Sequence, residues 1–250
     1  MAAKRSLVLL HGWGTTARVW DNVVMGLQDE YDLLPVHLPG HGESWLSEVS
    51  LQALALELIS KLGQMVSDRM VLLGWSLGGL LAIQAALLRP DLVRALLLVA
   101  STPVFVQQDG WDAAVSLEEF DNFYRLYKRD PEKSLQRFIT LQAQGDINSR
   151  QVIKYLQFAS ASCSSPLGWG LDCLRESNLL SGLSELRMPV HMLFGEQDRL
   201  IPRQVASCLA DRFGIRADLW RATAHVPFLS DPEKFTGWVR SCLHEEVVCV

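Results

Sequence analysis

The sequence predicts an α/β fold: a mostly parallel sheet of about six strands, helices on both faces, and a helical lid inserted late in the sheet. Three observations carry this expectation. Short apolar runs alternate with longer helical patterns along most of the chain. The runs are rich in Leu and Val and bounded by Gly, Pro or polar residues, the habit of strands buried on both faces. The alternation breaks once, where about 90 residues separate Ala100 from Val190, far more than a crossover connection needs.

The first run, Ser6–Leu10, follows a short basic start. It is too short for a membrane span or for the apolar core of an export signal. After the loop His11-Gly12-Trp13-Gly14, the pattern predicts a helix over Val19–Gln28, a strand over Leu33–Leu38 and a helix over Leu51–Val66. Strand Met70–Leu73 then runs into Gly74-Trp75-Ser76-Leu77-Gly78 and a helix over Leu77–Leu88. Strand Ala95–Ala100 closes the first half. Helical patterns over Leu117–Lys128, Pro131–Gln142 and Ser149–Phe158, broken by Gly and Ser, fill the long interval. Strand Val190–Phe194, helix Pro202–Phe213, a weaker strand Ala217–Arg221 and helix Pro232–Leu243 follow. The expected division is a core of residues 1–102 and 189–250 with a lid of residues 103–188.

Composition narrows the function. The 250 residues are 49% hydrophobic and 20% charged, an ordinary globular balance. A net charge of −5 gives no global attraction to nucleic acid or to an anionic membrane. Five cysteines, at 163, 173, 208, 242 and 249, show neither CxxC nor His-spaced pairing. They read as reduced thiols of a cytoplasmic protein, expected to be a monomer, with no metal site and no cofactor.

Ser76 is the candidate nucleophile. A sharp strand-to-helix bend brings backbones close, so the flanking positions, Gly74 and Gly78, must lack side chains. The bend exposes Ser76 Oγ, and the following helix N-terminus aims free N–H groups at any anion formed there. A serine hydroxyl needs a base, and the base needs an orienting carboxylate. Of the six histidines, His37 and His191 fall within predicted strands and His244 on a late helix. His225, in the loop after the last strand, lies at the sheet's carboxyl edge, where ligands bind in open α/β sheets. The acid belongs between Ser and His in chain order. Asp198, in "FGEQDRLIP", fits, although Glu196, two residues nearer the strand, has the same chemistry. The oxyanion donors expected are the Leu77 N–H and the Trp13 N–H of the loop after the first strand.

The stretches "LLHGWG", "LPGHGES", "GWSLGGL", Gly195–Pro202 and "AHVPFLSDP" together resemble the serine-dependent α/β-hydrolase family over essentially the whole chain. Few residues precede the first strand, so the hairpin that opens the family's usual eight-stranded sheet is largely missing and about six strands are expected. Within the family, HGWG paired with GWSLGG, then "VASTPVF" and "QRFITLQAQG", resemble the pimeloyl-[acyl-carrier protein] methyl ester esterases of biotin biosynthesis. This resemblance implies the triad Ser76, Asp198 and His225. It also implies acyl contacts from Trp13, Leu77, Phe138, Ile139, Thr140, Leu141 and Gln142. Lys133, Arg137, Arg150 and Lys154 are implied to face an acidic acyl-carrier protein, the partner expected.

The lid carries its own charge signal. From Arg125 to Lys154 there are seven basic and three acidic residues, against an acidic whole. Lys133 with Arg137, and Arg150 with Lys154, are spaced i,i+4, so each pair lines one helix face. Leu135, Phe138, Ile139 and Gln142 make an opposite, mostly apolar stripe. A solvated helix face has the same spacing. The same triad also serves short-chain esterases, thioesterases and menaquinone-pathway lyases of this fold, and a non-catalytic binding module on the same scaffold is the rival from another class.

Overall fold

Six parallel strands, β1 (Arg5–Leu10), β2 (Tyr31–Val36), β3 (Met70–Trp75), β4 (Val93–Val99), β5 (Val190–Gly195) and β6 (Ala217–Trp220), form one sheet. Their spatial order is β2-β1-β3-β4-β5-β6. The computed structural model describes residues 4–44, 46–162 and 167–245. Successive side chains of a strand point to opposite faces, and the core divides accordingly. Val8, Leu10, Leu72, Leu96 and Leu98 join one buried cluster, whereas Leu7, Leu9, Val71, Leu73, Ala95 and Leu97 join the other. Both clusters need covers, which is why the central strands read as unbroken apolar runs.

Helices α2 (Leu51–Met65), α3 (Leu77–Leu88) and α9 (Gln204–Phe213) supply buried residues to the first cluster. Helices α1 (Asp21–Leu27), α10 (Pro227–Ser230) and α11 (Pro232–Glu245) supply the second. Helix α3 is buried nearly all round because it packs against the sheet and under α2. Between β4 and β5 the chain forms α4 (Leu117–Arg129), α5 (Pro131–Gln142), α6 (Ser149–Ser160), α7 (Gly168–Glu176) and α8 (Leu180–Leu183). Ser116 and Glu119 close a reciprocal cap on α4, and Asp130 with Pro131 starts α5. Helix α5 packs against both α4 and α6 and divides its stripe: Phe138 enters the first cluster, Ile139 the second.

The six strands match the expected number, with shifted ends. Strand β2 spans Tyr31–Val36, not Leu33–Leu38, because an edge strand is only partly buried and its pairing with Arg5–Leu10, not its hydrophobicity, sets the limits. Pro35 is tolerated there, since an edge strand has one unpaired side. His37 therefore lies beyond the strand. The helix expected over Val19–Gln28 begins as a 3-10 turn, Ala17–Trp20, before α1. Short α7, α8 and α10 have no clear periodicity in sequence. Cys173, Cys208 and Cys242 are in no disulfide among the described residues, while Cys163 and Cys249 lie outside them. No helix among the described residues is long and apolar enough to cross a membrane.

Candidate active site

At the carboxyl end of β3 the chain turns sharply, and Ser76 adopts φ 55° and ψ −119°, a left-handed conformation costly for any residue with a side chain. The surroundings hold it there. The Ser76 N–H donates to Val99 O at 3.0 Å, while Ser76 O accepts from Gly79 N at 3.0 Å and from Ser101 Oγ at 2.9 Å. The glycine spacing has a direct steric cause. A Cβ on Gly78 would lie 2.2 Å from Leu10 O, and one on Gly74 would lie 2.5 Å from Gly78 O. Leu77 N–H is the first of α3 and has no acceptor within the helix.

His225 lies between β6 and α10, with Nδ1 2.7 Å from Asp198 Oδ2, and both side chains are 1% exposed. The carboxylate accepts the Nδ1–H, which leaves the Nε2 lone pair as the basic one. Nε2 is buried and makes no hydrogen bond to the described residues. Asp198 is fixed in turn, because its Oδ1 accepts the N–H groups of Leu200 at 2.8 Å and Ile201 at 3.0 Å. Glu196, the other carboxylate of the loop, is exposed. Trp75 ties His225 to the bend: its Nε1–H donates to His225 O at 2.9 Å, and the two rings lie 5.7 Å apart.

Trp13 is buried on the loop after β1. Its indole donates to Leu167 O at 2.8 Å and meets Phe138, Tyr127 and Phe123 edge-on, with centroids 5.0, 5.4 and 5.8 Å away. Gly170 of α7 packs so closely on Trp13 and Leu77 that a Cβ there would lie 2.7 Å from Trp13 Cδ1. The Trp13 backbone N–H makes no hydrogen bond to the described residues. Two buried histidines brace this loop from outside. His11 Nδ1–H donates to Gly12 O at 2.8 Å, and its Nε2 accepts the Leu38 N–H at 3.0 Å. His41 Nδ1–H donates to Pro39 O at 2.8 Å, and its Nε2 accepts the Gly14 N–H at 3.1 Å. Burial holds both neutral, lowering His11 well below its usual value and His41 to about 4. These braces escape sequence reading, because nothing in the residue pattern tells a ring that binds backbone from one that binds solvent.

The α5 positions expected to touch an acyl group separate. Phe138 and Leu141 line an apolar cavity of about 460 Å³, walled also by Phe105, Phe120, Phe123 and Leu171. Gln142 is buried, and neither end of its amide finds a partner among the described residues. Ile139 packs in the second core cluster, and Thr140 is exposed with its hydroxyl donating to Gln136 O at 3.1 Å. Lys133, Arg137, Arg150 and Lys154 are all exposed, and none forms an ion pair with the described residues.

A parallel sheet with a serine on the sharp bend after β3 and a buried His–Asp pair at the same edge defines a class. The chain belongs to the alpha/beta hydrolase family, whose sequence profile matches residues 7–238. Among its relatives, the pimeloyl-[acyl-carrier protein] methyl ester esterase of Pectobacterium carotovorum subsp. carotovorum is 36% identical over 244 residues, covering 95% of this chain and 94% of that one. The enzyme of the same name from Edwardsiella ictaluri is 37% identical over 246 residues, covering 94% and 91%. Among solved structures, an esterase from Exiguobacterium antarcticum superposes with TM-score 0.85 at 24% identity, covering 96% of this chain and 92% of that one. A bromoperoxidase from Bacillus anthracis gives TM-score 0.85 at 18% identity, covering 97% and 92%. At such identities the likeness is of the fold alone.

Proposed function

We propose that this chain is a serine carboxylesterase that hydrolyses the methyl ester of pimeloyl-[acyl-carrier protein] in biotin biosynthesis, releasing methanol. The buried His225–Asp198 pair, tied through Trp75 to the bend that carries Ser76, is the observation that supports the chemistry. The name shared by relatives that match nearly the whole chain supports the substrate. Ser76 Oγ attacks the ester carbonyl as His225 Nε2 takes its proton, and Asp198 holds the imidazolium. Trp13 and Leu77 N–H groups bind the oxyanion of the tetrahedral intermediate. Methoxide leaves with the proton from His225 as methanol. Water, deprotonated by His225, then attacks the acyl-serine and frees the acid.

The apolar cavity lined by Phe138 and Leu141 suits a saturated chain. We assign residues 103–188 to a lid over a core of residues 1–102 and 189–250. On that lid Lys133, Arg137, Arg150 and Lys154 offer exposed cations, in no ion pair among the described residues, to an acidic carrier protein. The test pairs two substrates: methanol release from the carrier-bound methyl ester, and p-nitrophenyl butyrate cleavage. Growth without biotin of a strain lacking its own such esterase is the expected outcome in cells. Failure to restore growth despite soluble expression and butyrate cleavage would overturn the substrate and leave the esterase. Failure of a fluorophosphonate to label Ser76 would overturn the serine chemistry itself.

A further inference from the structure

A second buried carboxylate, outside the triad, holds the loop that carries His225. Asp146 lies in the turn between α5 and α6 and is 6% exposed. Its Oδ2 accepts the N–H of Ala224, the residue before His225, at 2.9 Å. Its Oδ1 accepts Ser230 Oγ–H at 2.9 Å and the Asn148 N–H at 2.8 Å. The bonds around it follow the same route. His225 N–H donates to Gln142 O at 3.1 Å, Ile147 N–H to Ala222 O at 2.9 Å, and Asn148 Nδ2 to Ser230 O at 2.8 Å. Ala222 has φ 51°, so the loop follows a path that a residue with a side chain resists, and contacts from outside must hold it.

We propose that Asp146 is a positioning residue for the His225 base, coupling the turn between α5 and α6 to the alignment of the imidazole. The proposal rests on the reading of His225 as general base. All three partners of Asp146 are donors, so both side-chain oxygens must accept. An amide turned into this place aims an NH2 group at a donor, whichever way it flips. No cation pairs with Asp146 among the described residues. Its charge is therefore spent on the loop itself, beside the residue whose ring must stay within reach of Ser76. A shift of the ring by about 1 Å is enough to cost roughly 10²-fold in rate.

The experiment uses the full chain, titrated to endpoint with a fluorophosphonate so that kcat is expressed per reactive serine. Asp146→Asn is compared with Leu62→Ala, a cavity substitution in α2 that lowers stability without touching the loop. The expected result for Asp146→Asn is a kcat per titrated site lower by about 10–100-fold on p-nitrophenyl butyrate, with KM within about twofold. Leu62→Ala should lose thermal midpoint yet keep the wild-type kcat per site. Asp146→Asn losing activity only in proportion to titratable sites overturns the proposal. If that variant fails to fold, Ser230→Ala carries the test. A several-fold loss of kcat per site supports the proposal, and an unchanged value overturns it. A wild-type chain that takes up no fluorophosphonate sinks the serine reading and this proposal together, an outcome separable from the others.

Discussion

The bend at Ser76 and the loop at His225 meet at one sheet edge, yet they are held by different means. The bend is shaped by its own contiguous strand, turn and helix, with Gly74 packed on Gly78 and Gly79. It is pinned to the sheet by close approach of Gly78 to Leu10 and by hydrogen bonds to Val99 and Ser101. The His225 loop is held from afar, by Asp198 27 residues earlier, by Gln142 at the end of α5, and by Asp146 and Ile147 of the turn that follows. Ser76 is thus placed by close backbone packing and His225 by side-chain hydrogen bonds from distant segments. Steric placement fails all at once when a glycine is filled, whereas hydrogen-bonded placement fails by degrees as partners are removed. That difference makes the His225 loop the adjustable half of the site.

The largest effect tests whether the bend carries the nucleophile. Ser76→Ala should lower kcat by about 10⁴-fold or more while the fold persists, since the bend needs small flanks and not the hydroxyl. Activity above a few per cent of wild type would remove Ser76 from the role. On the loop side, Asp198→Asn should lower kcat by roughly 10³–10⁴-fold through loss of the correct imidazole tautomer. Glu196→Gln, exposed and away from the ring, should change little. If Glu196→Gln proved the more damaging, the acid is misassigned.

Gly78→Ala sharpens the steric half of the contrast. The added methyl meets Leu10 O at 2.2 Å, and the expected cost is about 3 kcal/mol or more, read from soluble yield and thermal midpoint. A variant of near wild-type stability would mean that the bend yields. His41, which braces the Trp13 loop, tests its hydrogen-bonded support through pH. Burial pushes its pKa down to about 4, against 6.5 when exposed. Between those values the unfolded chain binds a proton that the folded chain does not, so stability falls as pH falls through this window. By pH 4.5 the loss from this group should reach about 2 kcal/mol, and His41→Gln should lose less between pH 7 and 4.5 in chemical denaturation. Equal losses would show that His41 does not titrate with unfolding.

The smallest effect concerns the outer face of α5 and α6. Arg137→Glu with Arg150→Glu should raise KM for a carrier-bound ester, most at low salt, where attraction is least screened. Cleavage of p-nitrophenyl butyrate should barely change, and each substitution should cost within about ±0.5 kcal/mol of stability. Equal loss on both substrates would place the patch in the pocket and not at a docking face.

Much of this site is legible in the residues alone, and the boundary follows the same division between near and far. Gly-Trp-Ser-Leu-Gly between an apolar run and a helical pattern marks its own bend, so Ser76 stands out in the sequence, although Leu10, Val99 and Ser101 help to hold that bend. The alternation of strands and helices likewise encodes a parallel sheet, and with it the edge where Asp198 and His225 emerge. The family resemblance points to Asp198 over Glu196, but spacing alone does not separate two carboxylates two residues apart. The coordinates show the Asp198 carboxylate turned onto His225 Nδ1 and Glu196 exposed. The splitting of Phe138 and Leu141 from Ile139 and Thr140 also required them, since a helix stripe does not say which cavity it meets. The neutral braces His11 and His41, and the buried clamp Asp146, leave no trace in spacing. What the sequence determined by itself are the contacts between chain neighbours, where sterics act over a few residues. What only the tertiary structure decided are the partners of buried polar groups, because a hydrogen bond across 78 residues depends on where the whole chain has packed.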